Sequence, residues 1–260
     1  MNKNSIQTSF NYKKLHFLDG LELFEAENDT DFFPFHKHDT FCISIITSGT
    51  EIYNTKDNSF IIPANTISIS QENEVHKNTS LNIEGYSYKT LYINKDILSY
   101  FNKGKEIINL NRTINNDILF KKLQHLFNNN CSLKNFEKTL QELCFYSTNN
   151  VNDFGCKLST DKIHEYIASD FNHRIETDSL AKMYNMSKYH YTREFKKQTG
   201  VTPQNYVTLY KLEHAKKALL SGTISIKEVV YDFGFYDMSH FSKIFKKFYG
   251  VSPLAYVKSF

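Results

Sequence analysis

The sequence predicts an α+β protein in which an antiparallel β-barrel is followed by an all-α domain. Three observations predict this fold class: short alternating hydrophobic runs in the first 105 residues, helical spacing in the rest, and one pattern that occurs twice near the C-terminal end. At 260 residues, the chain is long enough for two domains with separate cores. We expect a barrel over residues 1–105, a helical hairpin and linker over 106–156, and the second domain over 157–260.

The barrel is predicted from short strands separated by frequent turns. The alternating runs are residues 21–26, 41–47, 60–62, 67–70 and 86–93. Turn-forming clusters such as Ser48-Gly49, Lys56-Asp57-Asn58 and Pro63-Ala64-Asn65 separate them. Many short strands with frequent turns are typical of a small antiparallel barrel or jelly roll.

The C-terminal domain is predicted from an internal repeat. Residues 183–207 and 233–257 are two copies of one pattern set fifty positions apart, with nine identical positions. Phe195/Phe245, Gly200/Gly250 and Tyr206/Tyr256 are among the identical pairs. A register that holds over this length is not a product of composition.

Each copy has the layout of a helix-turn-helix. In the second copy, Gly234 supplies the left-handed turn residue, and Asp237 or Ser239 is placed to cap the next helix. In the first copy, Asn185 is the expected turn residue and Ser187 the expected cap. The hydrophobic side of each second helix is formed by Tyr191 and Phe195 in one copy, and by Phe241, Ile244, Phe245 and Phe248 in the other.

The other side of each second helix is polar, with the residue types that reach base edges and phosphates in a major groove. We therefore predict a DNA-binding surface on both helices. Its candidate residues are Lys188, Tyr189, His190, Thr192, Arg193, Lys196, Lys197, Met238, Ser239, His240, Ser242, Lys243, Lys246 and Lys247.

A predicted connecting helix separates the two copies. Thr202-Pro203 opens it, and it runs to about Leu220, before Ser221-Gly222. A helix of about 18 residues spans roughly 27 Å. That length suits two reading helices placed in successive major grooves on one face of DNA.

These residues resemble the DNA-binding domain of AraC/XylS-type transcription regulators. The resemblance covers about 100 residues, with F-K-K-x-x-G-V-[ST]-P-x-x-Y closing each copy. It implies a regulator that binds double-stranded DNA and works with RNA polymerase, more often as an activator. Two departures are Lys211 and Val257, where the family usually has Arg, and both put a backbone contact or an internal ion pair in doubt.

The charge distribution agrees with nucleic-acid binding. The whole chain carries a net charge of +3, but residues 157–260 hold 16 Lys/Arg against 10 Asp/Glu, whereas residues 1–156 hold 15 against 18. A basic half that coincides with the repeat is the expected electrostatic footprint on DNA. A solvated lysine-rich surface is the plainer alternative.

The N-terminal region resembles the cupin-like effector domain that precedes the DNA-binding half in many AraC-type regulators. The segments that carry this looser likeness are F-H-K-H-D, I-I-P-A-N-T-I-S-I-S, E-V-H-K and G-Y-S-Y-K-T-L-Y-I. If a small effector binds, a polar mouth with aromatic walls is the expected lining. The candidate residues are His36, His38, His76, Tyr86, Tyr88 and Tyr92, and the alternative is that the tyrosines only fill the barrel.

The histidines also raise the question of a metal site. His36 and His38 are expected on one face of a strand, pointing into the barrel. Metal-binding cupins place a Glu soon after such a pair, whereas this chain continues Asp39-Thr40-Phe41-Cys42, so the ligand set is incomplete by that pattern. We therefore predict no metal and no other cofactor.

Residues 116–127 and 133–146 show the spacing of two amphipathic helices. In the resembled family such a hairpin often makes the dimer contact, so a homodimer is one expectation, although a simple cover for the barrel is equally consistent. Residues 149–158 are the expected linker, with Ser159-Thr160-Asp161 capping the next helix.

The predicted cellular location follows from features that the sequence lacks. Cys42, Cys131, Cys144 and Cys156 have no metal-ligand or redox spacing and are typical of a reducing compartment. No signal peptide and no hydrophobic run near the ~20 residues of a membrane helix is evident, so no membrane partner is expected and the predicted location is cytoplasmic.

The sequence thus predicts a DNA-binding transcription regulator that responds to a small, unidentified effector, and not an enzyme. Two alternatives stay open: a metal-dependent cupin enzyme with a DNA-binding tail, which stoichiometric metal would favour, and a regulator without an effector.

Overall fold

The structure is a computed structural model that describes residues 8–15, 21–128, 132–148, 160–172 and 175–260. Two compact units result, one built mainly from the N-terminal strands with helices α1–α3 and the other mainly from helices α4–α10. The predicted linker at 149–158 and the predicted capping residue Ser159 lie outside the described residues. Cys131 and Cys156 lie outside them too, while Cys42 and Cys144 are buried free thiols.

The first unit contains two main antiparallel sheets. The six-stranded sheet has the order β1-β2-β8-β3-β6-β10, and the three-stranded sheet has the order β5-β4-β7. The short strands β9 and β11 pair separately. The strands are β1 Ser9–Lys14, β2 Glu22–Asp29, β3 Phe41–Ser48, β4 Thr50–Asn54, β5 Ser59–Pro63, β6 Ile67–Ser70, β7 Lys77–Ser80, β8 Tyr86–Ile93, β9 Asn109–Leu110, β10 Thr113–Ile114 and β11 Ser147–Thr148.

The six-stranded sheet is buried on both faces, and the two faces differ in chemistry. Ile43 is aligned with Ile69 and Leu91, and this hydrophobic row belongs to the same core as the helices. Residues directly opposite each other share a face, so the next row, Cys42 with its neighbours, lies on the other face. That second face is polar and lines the barrel interior.

Three helices cover the hydrophobic face of this sheet: α1 Lys95–Phe101, α2 Asp117–Phe127 and α3 Leu133–Cys144. Asn116 caps α2 and Ser132 caps α3, each through a side-chain oxygen that accepts a backbone N–H. The two predicted amphipathic helices are therefore present, and they pack on the sheet.

The C-terminal part of the second unit, described over residues 160–172 and 175–258, is helical and contains no strand. Its helices are α4 Thr160–Ser169, α5 Thr177–Met183, α6 Lys188–Thr199, α7 Pro203–Leu220, α8 Ile226–Asp232, α9 Met238–Tyr249 and α10 Pro253–Val257. Helix α7 is the predicted connector, with Thr202 as its cap and Pro203 at its first position. The pairs α5–α6 and α8–α9 are the two helix-turn-helix motifs.

The predicted α+β fold class, a cupin-like antiparallel barrel followed by an all-α domain with two helix-turn-helix motifs, is confirmed. Among the described residues, no helix is long and hydrophobic enough to cross a membrane.

Candidate functional site

The first candidate reading helix, α6, is fixed at both ends by its own sequence. The side chain of Ser187 accepts a hydrogen bond from the backbone N–H of His190, and Gly200 ends the helix in the left-handed conformation, with φ +83°. Tyr191 and Phe195 are fully buried, so the opposite face of α6 is turned outward.

The second candidate reading helix, α9, repeats this construction. Asp237 accepts a hydrogen bond of 2.7 Å from the backbone N–H of His240, and Gly250 ends the helix with φ +78°. Phe241 and Phe245 are fully buried. The expectation that Asp237 or Ser239 caps this helix is therefore resolved in favour of Asp237.

The structure leaves the predicted DNA-binding side chains accessible. Twelve of the fourteen residues are exposed, and Thr192 and Ser242, which occupy matching positions, are half-buried. The twelve are Lys188, Tyr189, His190, Arg193, Lys196, Lys197, Met238, Ser239, His240, Lys243, Lys246 and Lys247. Their contact with DNA stays a prediction.

Both reading helices carry an excess of positive charge. Helix α6 has four cationic residues on its outward face and α9 has three, all exposed. Arg193 lies 3.5 Å from the carboxylate of Glu194, with 62% of the Arg193 side chain exposed. An exposed ion pair of this kind contributes little, so Arg193 remains available to a stronger partner.

Helix α7 holds the two motifs together because it is buried on most sides. Lys211, one of the two departures from the family pattern, donates a hydrogen bond to the backbone carbonyl of Phe171. Burial lowers the pKa of Lys211. Further along α7, the Lys216 ammonium lies 4.9 Å from the ring centre of Tyr249, and Glu213 accepts a hydrogen bond from the Tyr249 hydroxyl. Sequence reasoning did not find these interactions.

In the barrel, the predicted effector residues fall into two groups. Tyr86 and Tyr88 stack at 4.8 Å, and the hydroxyl of Tyr88 donates to Asp29. Tyr92 instead makes an edge contact with His38, at 5.2 Å between ring centres. Since Tyr88 and Tyr92 lie four residues apart on β8, the two groups are separated by about 13 Å along the strand.

The group around Tyr86 and Tyr88 includes two buried acids that sequence reasoning missed. Burial raises the pKa of Asp29 to about 6, although hydrogen bonds donated by the Phe32 backbone and by Tyr88 lower it. Burial also raises the pKa of Glu51 to about 7, although hydrogen bonds from Ser68 and Asn78 lower it. Two buried carboxyl groups with raised pKa values therefore lie beside Tyr86 and Tyr88.

The other group centres on three histidines. The expectation that His36 and His38 lie on one face of a strand is wrong: their segment is irregular, with only an isolated bridge at His36. Both are nevertheless buried, and within the first unit the ring of His38 lies 5.6 Å from that of the buried His76, measured between ring centres. This proximity depends on tertiary structure and was not readable from the sequence.

A second concave feature lies on the helical hairpin. A cavity of about 510 Å³ opens between α2 and α3. It is lined by Ile118, Lys121, Lys122, His125, Lys138 and Thr139, among others. None of the predicted effector residues is among its lining residues.

Comparison with known protein families gives two matches in the order that the sequence suggested. Residues 20–126 match the family described as the AraC-like ligand binding domain, and residues 180–259 match a family described as a helix-turn-helix domain. A ligand-binding domain followed by paired helix-turn-helix motifs defines the class of two-domain AraC-type regulators. Both halves of the chain therefore match domains of AraC-type regulators, which confirms the resemblance inferred from its motifs.

Curated relatives agree with this assignment. The MmsAB operon regulatory protein of Pseudomonas aeruginosa is 35% identical over 99 residues, which cover 38% of this chain and 32% of that protein. The transcriptional activator RhaS of Mannheimia succiniciproducens is 27% identical over 247 residues, which cover 89% of this chain and 91% of that protein. The first of these matches, like that to RhaS of Escherichia coli O139:H28, spans only 32% of the relative.

Solved structures share the fold over nearly the whole chain. ToxT from Vibrio cholerae O395 has a TM-score of 0.58 at 18% sequence identity, with 97% of each chain covered. A second ToxT structure, an apo variant from strain SCE256, has a TM-score of 0.59 at 16% identity and covers 97% of this chain and 96% of that one.

Proposed function

We propose that this protein is a sequence-specific DNA-binding transcription regulator, acting as an activator in response to a small molecule bound by its N-terminal barrel. The observation that carries the proposal is the pair of matched, outward-facing basic helices, α6 and α9, joined by one buried connector. Curated relatives named as transcriptional activators support the direction of regulation.

Within this surface we propose a division of roles. Arg193 contacts a base, because a guanidinium grips guanine O6 and N7 with two hydrogen bonds. Tyr189, His190 and Thr192 are its neighbours on α6, and Met238, Ser239, His240, Ser242 and Lys243 take the matching roles on α9. Lys188, Lys196, Lys197, Lys246 and Lys247 contact phosphates and set the register.

For the barrel we propose a small-molecule effector that contacts His36, His38, His76, Tyr86, Tyr88 and Tyr92. A ToxT structure, which shares this fold, is described as bound to an unsaturated fatty acid, and another as bound to (E)-4-(8-methylnaphthalen-1-yl)but-3-enoic acid. These descriptions concern ToxT, and they support small-molecule binding by the fold without fixing the ligand of this chain.

The remaining partners follow from the same proposal. A regulator of this class acts in the cytoplasm and contacts RNA polymerase, and it needs no catalytic residues of its own. We also propose domain limits of 1–105, 106–156 and 157–260, and the α2–α3 hairpin as the candidate contact of a homodimer.

The DNA-binding proposal is tested by salt titration. A duplex is first selected from a random library with the full-length protein, and its affinity is then measured over a range of KCl concentrations. The Lys246→Ala variant should bind all sequences more weakly and lower the slope of log K against log salt by about 1. The Arg193→Ala variant should lose about 1–3 kcal/mol, mainly on the selected duplex.

A matched control is Lys182→Ala, which removes a cation on α5 that is exposed but outside the predicted surface. It should leave both the affinity and the slope unchanged. Failure of the wild-type protein to prefer any duplex would refute the function, and identical behaviour of the Arg193 and Lys246 variants would refute the division of roles.

A further inference from the structure

One end of the barrel interior collects polar side chains from both main sheets of the first unit. Asp29 on β2 lies directly opposite Tyr86 on β8, so these two side chains share a face of the six-stranded sheet. The chain enters β4 of the other sheet beside them, since a Cβ at Gly49 would lie 2.9 Å from the Cβ of Tyr86. Burial, and then the charges of Glu51 on β4 and of Asp29, raise the pKa of Tyr86. Asp29, Glu51 and Tyr86 are at most 1% exposed.

Neither buried acid is paired with a cation within the described residues. Asp29 accepts hydrogen bonds of 3.2 Å from the backbone N–H of Phe32 and from the hydroxyl of Tyr88. Glu51 accepts one of 2.7 Å from the side-chain amide of Asn78. All three donors are neutral, so the charged forms of both acids are penalised by burial. The raised pKa values, about 6 for Asp29 and about 7 for Glu51, agree with this.

The charge of Arg112 acts on Glu51, but its guanidinium group is already engaged. Arg112 donates one hydrogen bond to each carboxylate oxygen of Glu74, and it lies over the ring of Tyr53 at 4.5 Å. Arg112 and Glu74 therefore neutralise each other. When Asp29 and Glu51 are both ionised, this end of the interior has an excess of negative charge.

Three buried polar atoms in the same place have no hydrogen-bond partner among the described residues. They are Oε2 of Glu51, Oδ1 of Asn78 and the hydroxyl oxygen of Tyr86. The amide oxygen of Asn78 and an ionised carboxylate only accept hydrogen bonds. Buried polar atoms are seldom left without a partner, because an unmade hydrogen bond costs free energy. The cluster is therefore suited to a ligand that brings hydrogen-bond donors.

The charge and the acceptors together favour a cationic ligand. An ammonium group brings three donors and no acceptor, and a guanidinium group brings five. Hydrogen bonds between ionised groups are roughly twice as strong as those between neutral groups. The rings of Tyr86 and Tyr88 are stacked at 4.8 Å, and an aromatic face attracts a cation. A neutral hydroxyl group brings a single donor, and both acids would repel an anion.

We propose that Asp29, Glu51, Asn78 and Tyr86 bind the ammonium or guanidinium group of a small organic cation. Asp29 and Glu51 supply the opposite charge, the amide oxygen of Asn78 accepts a hydrogen bond, and the ring of Tyr86 covers the cation. The inference rests on the proposed function, in which the barrel binds a small effector, and it names the chemical class of that effector.

The test is isothermal titration of the full-length protein with three cations, each paired with a neutral analogue of similar shape. The pairs are putrescine with 1,4-butanediol, tyramine with tyrosol, and butylguanidine with butylurea. We expect at least one cation to bind with one equivalent per chain, and at least about 10-fold more tightly than its neutral analogue. The anion 4-hydroxyphenylacetate should not bind.

Two variants place the bound cation in this cluster. Glu51→Gln keeps the size of the side chain but removes its charge, and it should weaken binding of the cation by about 10- to 100-fold. Tyr86→Phe removes only the hydroxyl group and should weaken binding by about 3- to 10-fold. The control Glu27→Gln makes the same change at an exposed position on β2 and should bind as the wild type does. Thermal unfolding without ligand checks that each variant is folded.

The inference is overturned if no cation binds saturably, if each cation and its analogue bind equally, or if both variants bind as the wild type does. The affinity for a selected DNA duplex is measured separately. Binding that depends on Glu51 but leaves DNA affinity unchanged would support the cation site and refute the effector role. If instead a neutral or anionic compound changed DNA affinity while no cation bound, the effector role would stand and the cation site would be refuted.

Discussion

The two helix-turn-helix motifs share one core but differ in how their ends are built. The rings of Phe195 and Tyr206 lie 5.4 Å apart, and those of Phe245 and Tyr256 lie 5.5 Å apart. Tyr191 and Phe241, which precede these phenylalanines, each lie 5.5 Å from them. The repeated letters of the sequence therefore specify repeated packing.

The differences fall in the turns and at the start of the first helix of each motif. Helix α8 begins with a capping box in which Ser225 and Glu228 bond each other's backbone N–H, whereas Glu176, the residue before α5, provides no side-chain cap. The turn residue is Asn185 in one motif and Gly234 in the other, and both have positive φ. The two motifs therefore share the packing of their core, whereas the caps and turns at the helix ends differ between them.

The largest effect on stability is expected when the buried phenylalanine ring is removed from one of the two motifs. Phe195→Ala and Phe245→Ala should each destabilise the protein by about 3–5 kcal/mol, because both rings are fully buried and leave a cavity. Urea denaturation measures both. Tyr189→Ala, at a position 79% exposed, should change the free energy of unfolding by less than about 0.5 kcal/mol. A loss below about 1 kcal/mol in only one of the phenylalanine variants would mean that the cores are not equivalent.

A smaller effect is expected at the turn of the second motif. Gly234 has φ +63°, and a Cβ there would lie 2.7 Å from the carbonyl oxygen of Phe171. Gly234→Ala should therefore cost about 2–4 kcal/mol from backbone strain and overpacking together.

Gly222 provides the matched control for that substitution. It has φ +67° but open space where a Cβ would lie, so Gly222→Ala should cost only about 1–2 kcal/mol of strain. Thermal unfolding of the two variants side by side separates the cost of backbone strain from the cost of the close contact with Phe171. Equal losses of stability in the two variants would show that the contact with Phe171 is relieved without cost.

The smallest effect concerns the caps. Ser225→Ala should cost about 1 kcal/mol, whereas Glu176→Ser should add about 0.5–1 kcal/mol to the first motif. Hydrogen bonds from the backbone and side chain of Ser225 lower the pKa of Glu228. The contribution of this box is therefore present above the ordinary pKa of glutamate and lost as the pH falls through the lowered value. Urea denaturation of Glu228→Ala at neutral and acidic pH checks this, since this variant loses the carboxylate that accepts from the backbone N–H of Ser225 and its deficit should shrink in acid.

Much of the fold was readable because local signals and packing agree. Thr202-Pro203 predicted the start of α7, and Asn185 and Gly234 predicted the turns, since few residues suit those backbone positions. Strands β3, β6 and β8 were predicted because their hydrophobic residues are buried as expected.

Strands β4 and β7 were missed for a physical reason. In β4, the buried side chains are Glu51 and Tyr53 while Ile52 is only half-buried, so the hydrophobic alternation is inverted. Strand β7, Lys77–Ser80, has no hydrophobic residue at all. A polar barrel interior cannot be read from a rule that places hydrophobic residues inside.

The candidate sites likewise differ in whether a local sequence pattern predicts them. The outward face of α6 and α9 depends on helical period alone, so the sequence placed its residues on one exposed surface. The histidine cluster and the buried acids Asp29 and Glu51 depend on chain segments that meet only in the folded barrel. Long-range proximity of this kind has no local signature.

We propose that α6 and α9 read the same duplex in neighbouring grooves. It is tested most directly by selecting binding sites from a random duplex library with the wild type, Arg193→Ala and Lys243→Ala, and comparing base preference at each position. We expect each variant to lose preference at a different place, the two places lying about 10 base pairs apart, as successive major grooves require. If both variants lost preference at the same base pairs, or if only one of the two variants lost preference, then α6 and α9 would not read neighbouring grooves.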